Sequence, residues 1–397
     1  MASELRLNKG ADRRLRAGHC WVYSNEVDTA ASPLGGFEPG EPVELVNHAG
    51  RWLGHAYVNP HSLICARVVS RDRARPLDRS LLVHRLNVAL AGRERRYAAP
   101  FYRLVYGEAD GLPGLVVDRF GDYLVAQLTT AGMERQRAAV VEALARVLKP
   151  RGVLLRNDGA SREFEGLARY VEPALGEVPA ELEVREAGAR FVVNPAEGQK
   201  TGWFFDQAAN RDTMTRYVRG RRVLDVFSYV GAWGVRAALA GAAAVTCVDA
   251  SPAAVAAVAG NAARNGVGER VAALRGDAFA VLRELKAAGE RFDLVILDPP
   301  AFVKRRKDLK EGALAYRRIN EAGLALLDRD GVLVTASCSF HMDRDGLLRT
   351  VQQAARHLDR SLQLLEQGHQ GPDHPVHPAI PETAYLKAFL LRVLPAF

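Results

Sequence analysis

Cys338 stands between two serines in Thr335-Ala336-Ser337-Cys338-Ser339-Phe340, just past the apolar run Gly331-Val332-Leu333-Val334. A second apolar run upstream, Phe292–Leu297, ends in Asp298-Pro299-Pro300. If both runs are parallel strands, a thiol and a carboxylate emerge side by side at the carboxyl edge of one sheet, where open α/β sheets bind ligands. That pair suits covalent chemistry on a pyrimidine. C5 of cytosine or uracil is too weak a nucleophile to take a methyl group from a sulfonium directly, but a thiolate adding to C6 makes an enamine that is nucleophilic at C5. A base then removes the C5 proton and the thiol leaves. Cys338 is the expected thiolate, and Asp298 the expected carboxyl group near N3 of the ring.

Each residue has a competing role. A cysteine is often an inert buried thiol, which is the expectation for Cys20, Cys65 and Cys247. The polar flanks Ser337 and Ser339 argue against it for Cys338. An Asp-Pro-Pro loop also holds exocyclic amines in amino-group methyltransferases, usually with an aromatic directly after the prolines. Here Ala301 fills that place and Phe302 follows, which disfavours this rival.

The elements that must position these groups are legible as alternating strands and helices. Val223–Val226 precedes a helix over about 231–240, Ala244–Asp249 an alanine-rich helix over about 252–265, and Val271–Leu274 a helix near 278–288. Repeats of this length predict a parallel sheet covered on both faces. Before them, residues 1 to about 75 read as short strands broken by turns, without helical periodicity, so a small all-β unit is expected. Arg67, Arg71, Arg73 and Arg75 read as a linker after it. Residues 76–190 combine a helix around 80–96, a hairpin over 111–128, a helix with apolar residues at 140, 141, 144, 147 and 148, and further strands, predicting a small α+β domain.

The turn after the first strand of the alternating region, Asp225-Val226-Phe227-Ser228-Tyr229-Val230-Gly231-Ala232-Trp233-Gly234, is poor in glycine beside a pyrophosphate-binding GxGxxG. A ligand without phosphate fits it better. Asp249, at the end of the second strand, is placed to take a ribose diol. Asp277 is placed for an adenine amino group, with Phe279 flanking the ring. Phe227, Ser228, Gly231, Ala250, Ala278 and Asp298 complete a candidate site for S-adenosyl-L-methionine. Asp225 and Asp249 have the alternative role of helix caps. In the segment before the first strand, Trp203, Phe204 and Phe205 are placed to cover the cofactor and Lys200 or Arg211 to meet its carboxylate, with Gln207 beside them. The alternative there is a helix N-terminus packing its aromatics into the core.

The stretches Asp298–Phe302, Ser337-Cys338-Ser339, Leu224–Gly231 and Gly198–Gln207, with Gly18–Glu26 and Gly107–Leu115 earlier in the chain, resemble the bacterial 23S rRNA 5-methylcytosine methyltransferases. The resemblance extends over nearly the whole sequence. It implies an α/β architecture with a PUA-like RNA-binding domain over 1–75, a central α+β domain over 76–190 and a Rossmann-like class I methyltransferase domain over 191–397. It also implies Cys338 as nucleophile, large-subunit ribosomal RNA as partner, and a homodimer. The residues alone leave 5-methyluridine formation and a noncatalytic RNA-binding or assembly role as alternatives.

Composition agrees with a polyanionic partner: among 397 residues, basic side chains exceed acidic ones to give a net charge of +8, a surplus that favours nucleic acid. Lys304, Arg305, Arg306 and Lys307, directly after Phe302, are placed to hold phosphates flanking the target base. Four widely spaced cysteines offer neither a metal pair nor a disulfide framework. No stretch approaches the ~18 apolar residues of a membrane span, and a cytoplasmic location is expected. His369, His374 and His377 lie in a Gly- and Pro-rich loop with no completing ligands, so a loop lining the substrate cleft is expected and no metal.

Overall fold

The structure is a computed structural model and describes residues 3–396. It divides into two compact units. The first contains the chain up to Leu182 with Asn194–Phe205 and Pro372–Thr383; the second contains Glu183–Val193, Asp206–Gly371 and the chain from Ala384.

The first unit begins with a five-stranded sheet of β1 (Ser3–Arg6), β2 (Trp21–Val22), β3 (Glu41–Val46), β4 (Trp52–Val58) and β5 (Ala66–Ser70), in the order β1-β3-β4-β5-β2. Its apolar face, with Leu5, Leu45, Val58 and Ala66, closes a small core. A short helix, α1 (Asp12–Arg16), interrupts the strands. The sequence reading missed it, because five residues are too few to show a helical period. Arg67 also departs from the expected linker. It lies within β5, buried, and donates to Glu165 at 3.0 Å, whereas Arg71, Arg73 and Arg75 are exposed beyond the strand.

A second sheet follows, in the order β10-β9-β8-β7-β6. Its strands are β6 (Phe101–Tyr106), β7 (Leu115–Phe120), β8 (Tyr123–Leu128), β9 (Gly152–Asn157) and β10 (Tyr170–Gly176). The helices α2 (Arg79–Glu94), α3 (Ala131–Arg135) and α4 (Arg137–Leu148) accompany it. Leu82 and Leu86 of α2 and Val140 and Leu144 of α4 share its core with Leu104, Val117 and Leu155. Asp78 caps α2, its side chain accepting from the Leu81 amide. Buried Arg103 forks onto fully buried Asp118 at 2.9 and 2.8 Å, the planar two-point pairing that suits a buried guanidinium.

In the second unit, the hairpin of β11 (Leu182–Glu186) and β12 (Ala189–Val193) and the helix α5 (Ala208–Met214) precede a seven-stranded sheet. That sheet is built from β13 (Arg222–Val226), β14 (Ala244–Asp249), β15 (Val271–Arg275), β16 (Phe292–Leu297), β17 (Leu327–Ser337), β18 (Arg360–Gly368) and β19 (Lys387–Pro395), ordered β15-β14-β13-β16-β17-β19-β18. Strands β13 to β17 run parallel, while β19 is antiparallel to both β17 and β18. The crossover helices are α6 (Ala232–Leu239), α7 (Pro252–Arg264), α8 (Ala278–Ala287), α9 (Leu309–Leu324) and α10 (Arg344–His357). Leu224, Val226, Val295, Leu297, Ile319 and Leu333 lie in one buried core. Strand order reverses at β13, with β14 on one side and β16 on the other. The crevice outside the carboxyl ends of these strands is therefore the place where this fold accepts a ligand.

Candidate active site

The turn after β13 is held in an unusual backbone path. Phe227 and Tyr229 have φ of 66° and 49°, and Gly231 has φ of 83°. Two non-glycine residues at positive φ within three positions mark a turn that the surroundings over-determine. Those surroundings are visible. The amides of Phe227 and Ser228 both donate to the Val248 carbonyl at 3.0 Å, the Tyr229 amide donates to Asp249 Oδ2 at 2.9 Å, and Asn261 of α7 donates to the Val230 carbonyl at 3.0 Å. A Cβ at Gly234 would lie 2.3 Å from Cys247 Sγ, so only glycine lets α6 approach β14 this closely.

Asp225 is fully buried, and its Oδ2 accepts from the Gly234 amide at 3.0 Å. Burial, aided by the charges of Asp298 and Asp249 and opposed by the Gly234 amide, pushes its carboxyl up to about 7. Its first service is to the turn rather than to a ligand, which qualifies the sequence expectation. Among the described residues, its other oxygen, Oδ1, and the Ser228 hydroxyl are buried without a hydrogen-bond partner. Two unsatisfied polar atoms at a strand end are costly unless a ligand meets them. Half-buried Asp249 accepts one amide on each oxygen, from Tyr229 and from Ser251, both at 2.9 Å; each oxygen retains a lone pair for a diol. Ser251, not Asp249, caps α7. Asp277 is exposed and caps α8 through Oδ1, with Phe279 exposed beside it. This donor and acceptor set fits a polar adenosine-bearing cofactor.

The structure brings Asp298 and Cys338 to the carboxyl ends of adjacent parallel strands, where Leu297 of β16 is in register with Thr335 of β17. Both are partly exposed. Asp298 is oriented by two donors: Gln207 Nε2 reaches Oδ1 at 2.9 Å and Trp233 Nε1 reaches Oδ2 at 3.1 Å. Gln207 thus serves the carboxylate, and Trp233 is a contributor that the sequence reading passed over although it lies in the same turn as Gly231.

Cys338 is bracketed by a hydroxyl network. Ser337 Oγ donates to Tyr316 OH at 2.8 Å, Tyr316 OH lies 2.9 Å from Ser339 Oγ, and the Val303 amide donates to Ser339 Oγ at 3.1 Å. Burial pushes the Tyr316 phenol up, so it stays a neutral hydrogen-bonding hub. Phe302 packs on the Tyr316 ring at 4.9 Å. The loop after Asp298 is therefore tied to the Cys338 turn, and exposed Lys304, Arg305, Arg306 and Lys307 leave from that knot. Arg305 pairs with Asp308 at 3.0 Å.

The remaining expected residues are placed as follows. Arg211 is buried and forks onto Glu186 at 2.7 and 2.6 Å, with Arg236 also on Glu186 at 2.8 Å. This pairing already engages its guanidinium, leaving it a poor partner for a cofactor carboxylate. Phe205 belongs to the first unit, buried against Phe120 at 5.4 Å between ring centres, so its ring serves packing. Lys200, in the same segment, lies over the Phe204 ring at 4.3 Å. His374 is buried rather than lining a cleft, with Nδ1 2.9 Å from Asp373 Oδ1; Asp373 Oδ2 in turn accepts from the Arg103 amide. Among the described residues no group of three ligating side chains could hold a metal, and no helix is long and apolar enough to cross a membrane.

Residues 5–71 match the family described as PUA-like domain. Residues 169–392 match the family described as S-adenosylmethionine-dependent methyltransferase. The protein named ribosomal RNA large subunit methyltransferase I from Shewanella denitrificans is 37% identical over 398 residues, covering 99% of this chain and 100% of its own. The protein of the same name from Erwinia tasmaniensis is 39% identical over 399 residues, with the same coverage. Among solved structures, a protein from Streptococcus mutans described as a SAM-dependent methyltransferase superposes with a TM-score of 0.83 at 21% identity, over 98% of this chain and 100% of that one. That likeness shows a shared fold.

Proposed function

On the premise that the chain belongs to the S-adenosylmethionine-dependent methyltransferase family, with the proteins named ribosomal RNA large subunit methyltransferase I as its relatives, we propose that it methylates C5 of a cytosine in large-subunit ribosomal RNA through a covalent Cys338 adduct. The observation that carries this reading is the pairing of a partly exposed thiol with a doubly oriented carboxylate at neighbouring strand ends, one strand from the strained turn of the cofactor site.

In this mechanism the target base leaves its stack. The Cys338 sulfur forms a bond to C6 and the displaced π electrons make C5 nucleophilic. Asp298, held by Gln207 and Trp233, meets N3 of the ring in its acid form, giving N3 its proton as charge accumulates there and taking it back when the C6–S bond breaks. The cofactor supplies an electrophilic methyl group on a sulfonium sulfur. Once C5 is methylated, a base takes the C5 proton, the C–H electrons re-form the C5–C6 double bond, and the C6–S bond breaks to restore the thiolate. Asp249 takes the ribose diol; Asp277, Ala278 and Ala250 line the adenosine side. Asp225 Oδ1 and Ser228 Oγ meet the amino-acid end, with Phe227 and Gly231 shaping the turn.

The exposed run Lys304–Lys307 holds phosphates beside the flipped base, and the PUA-like domain adds a second RNA contact. The protein acts in the cytoplasm, as a homodimer. Nucleoside mass analysis of 23S rRNA from a strain lacking the gene tests the function: one 5-methylcytidine is lost and returns on complementation. Loss of a methyluridine instead moves the reading to uracil, and an unchanged methylation map contradicts catalysis on this RNA.

A further inference from the structure

Lys387 is buried, and among the described residues no carboxylate pairs with it. It is the first residue of β19 and sits opposite Ser337 of β17 in the antiparallel register, one position before Cys338. Its Nζ donates to the Ser339 carbonyl, one residue after Cys338, at 2.5 Å and to the Tyr385 carbonyl at 2.8 Å. An ammonium has three N–H groups; among the described residues, neither a third acceptor nor a carboxylate at ion-pair distance meets this one. Burying an unpaired charge is expensive, and neutral residues would fill this strand position at less cost. The carbonyls fix where the charge sits without cancelling it.

The groups acting on Lys387 identify what the charge is for. Burial pushes the Lys387 ammonium down to about 8, and the group that most favours its charge is the Cys338 sulfur. Asp343 assists, and Arg344 opposes as a like charge. Asp343 is itself engaged as the cap of α10, and Arg344 donates to the Gly368 carbonyl at 3.0 Å. Tyr316, the other titratable group beside the thiol, bonds to Ser337 and Ser339. The Tyr385 phenol is occupied by Asp206 at 2.5 Å. Lys387 is thus the cation best placed to favour an anionic sulfur at Cys338.

We propose that Lys387 is a positioning residue for the reaction, its ammonium holding the Cys338 sulfur as thiolate while its two N–H bonds fix the turn that presents the sulfur. This inference rests on the Cys338 reading above. No group is consumed: the cation stabilises the thiolate before addition to C6 and again when the C6–S bond breaks.

The test is the pH dependence of Cys338 alkylation by iodoacetamide, read site by site by peptide mass spectrometry in the full chain. Lys387→Gln keeps N–H donors but carries no charge, and Lys387→Arg keeps both. The Gln variant is expected to move the alkylation midpoint upward by about one pH unit or more, with the Arg variant near wild type. A Gln profile that superimposes on wild type overturns the proposal. So does an Arg profile as displaced as the Gln one, which would mean that shape matters and charge does not. A structural role alone would scale the rate at every pH without moving the midpoint. Methyl transfer in Cys338→Ala separates the two readings: activity that survives this change sinks the covalent mechanism, whereas its loss beside an unmoved Gln midpoint sinks the lysine alone.

Discussion

At the scale of single residues, burial sets the chemistry available to each acid. Asp225 holds its proton up to about pH 7 in the folded protein because burial disfavours the anion, whereas the unfolded chain releases it near pH 4. The folded state therefore binds more protons between those values, and stability falls as pH rises from about 4 to about 7. Asp225→Asn removes that dependence, since an amide oxygen still accepts from Gly234. Urea unfolding should show the variant gaining on wild type across this window, and parallel pH profiles would contradict the assignment. Asp298 is controlled instead by two donors of known length. Asp298→Asn should fold normally and lower kcat by roughly 100-fold, measured as methyl transfer to rRNA; near-wild-type turnover would remove Asp298 from the chemistry.

Elements explain which parts of this site the sequence disclosed. Strand β14 coincides with the apolar run Ala244–Asp249, and α7 starts at Pro252, because each apolar period ends at a turn or cap that is visible locally. Cys338 and Asp298 were legible for the same reason: each follows a run that could only be a buried strand. Arg67, Arg103 and Lys387 were not, since each is buried by a partner or strand outside its own segment, namely Glu165, Asp118 and β17. Nothing in the neighbouring residues announces those meetings. The antiparallel insertion of β19 between β17 and β18 is equally nonlocal.

Gly234→Ala places a methyl group against Cys247 and should cost about 1–3 kcal/mol by overpacking, seen as a lower urea midpoint. Replacing Lys304, Arg305 and Arg306 with alanine should weaken RNA binding and reduce the slope of log K against log salt by roughly two; unchanged affinity and slope would place the RNA elsewhere.

Considered whole, the chain combines a PUA-like domain match, a central α+β sheet with its helices, and a Rossmann-like sheet whose strand order reverses at β13. The basic surplus of the sequence is compatible with a large polyanion. Light scattering of the full chain should give twice the monomer mass at micromolar concentration, and a monomer would contradict the proposed homodimer.

The central claim concerns one bond between sulfur and carbon. Incubating the full-length protein and cofactor with rRNA carrying 5-fluorocytidine blocks the final proton loss, because fluorine replaces the hydrogen at C5. The account predicts a covalent protein–RNA complex that survives denaturation, maps to Cys338 and is absent from Cys338→Ala. Methylation of unmodified rRNA by wild type with no such complex, or a complex mapping to another residue, would contradict it.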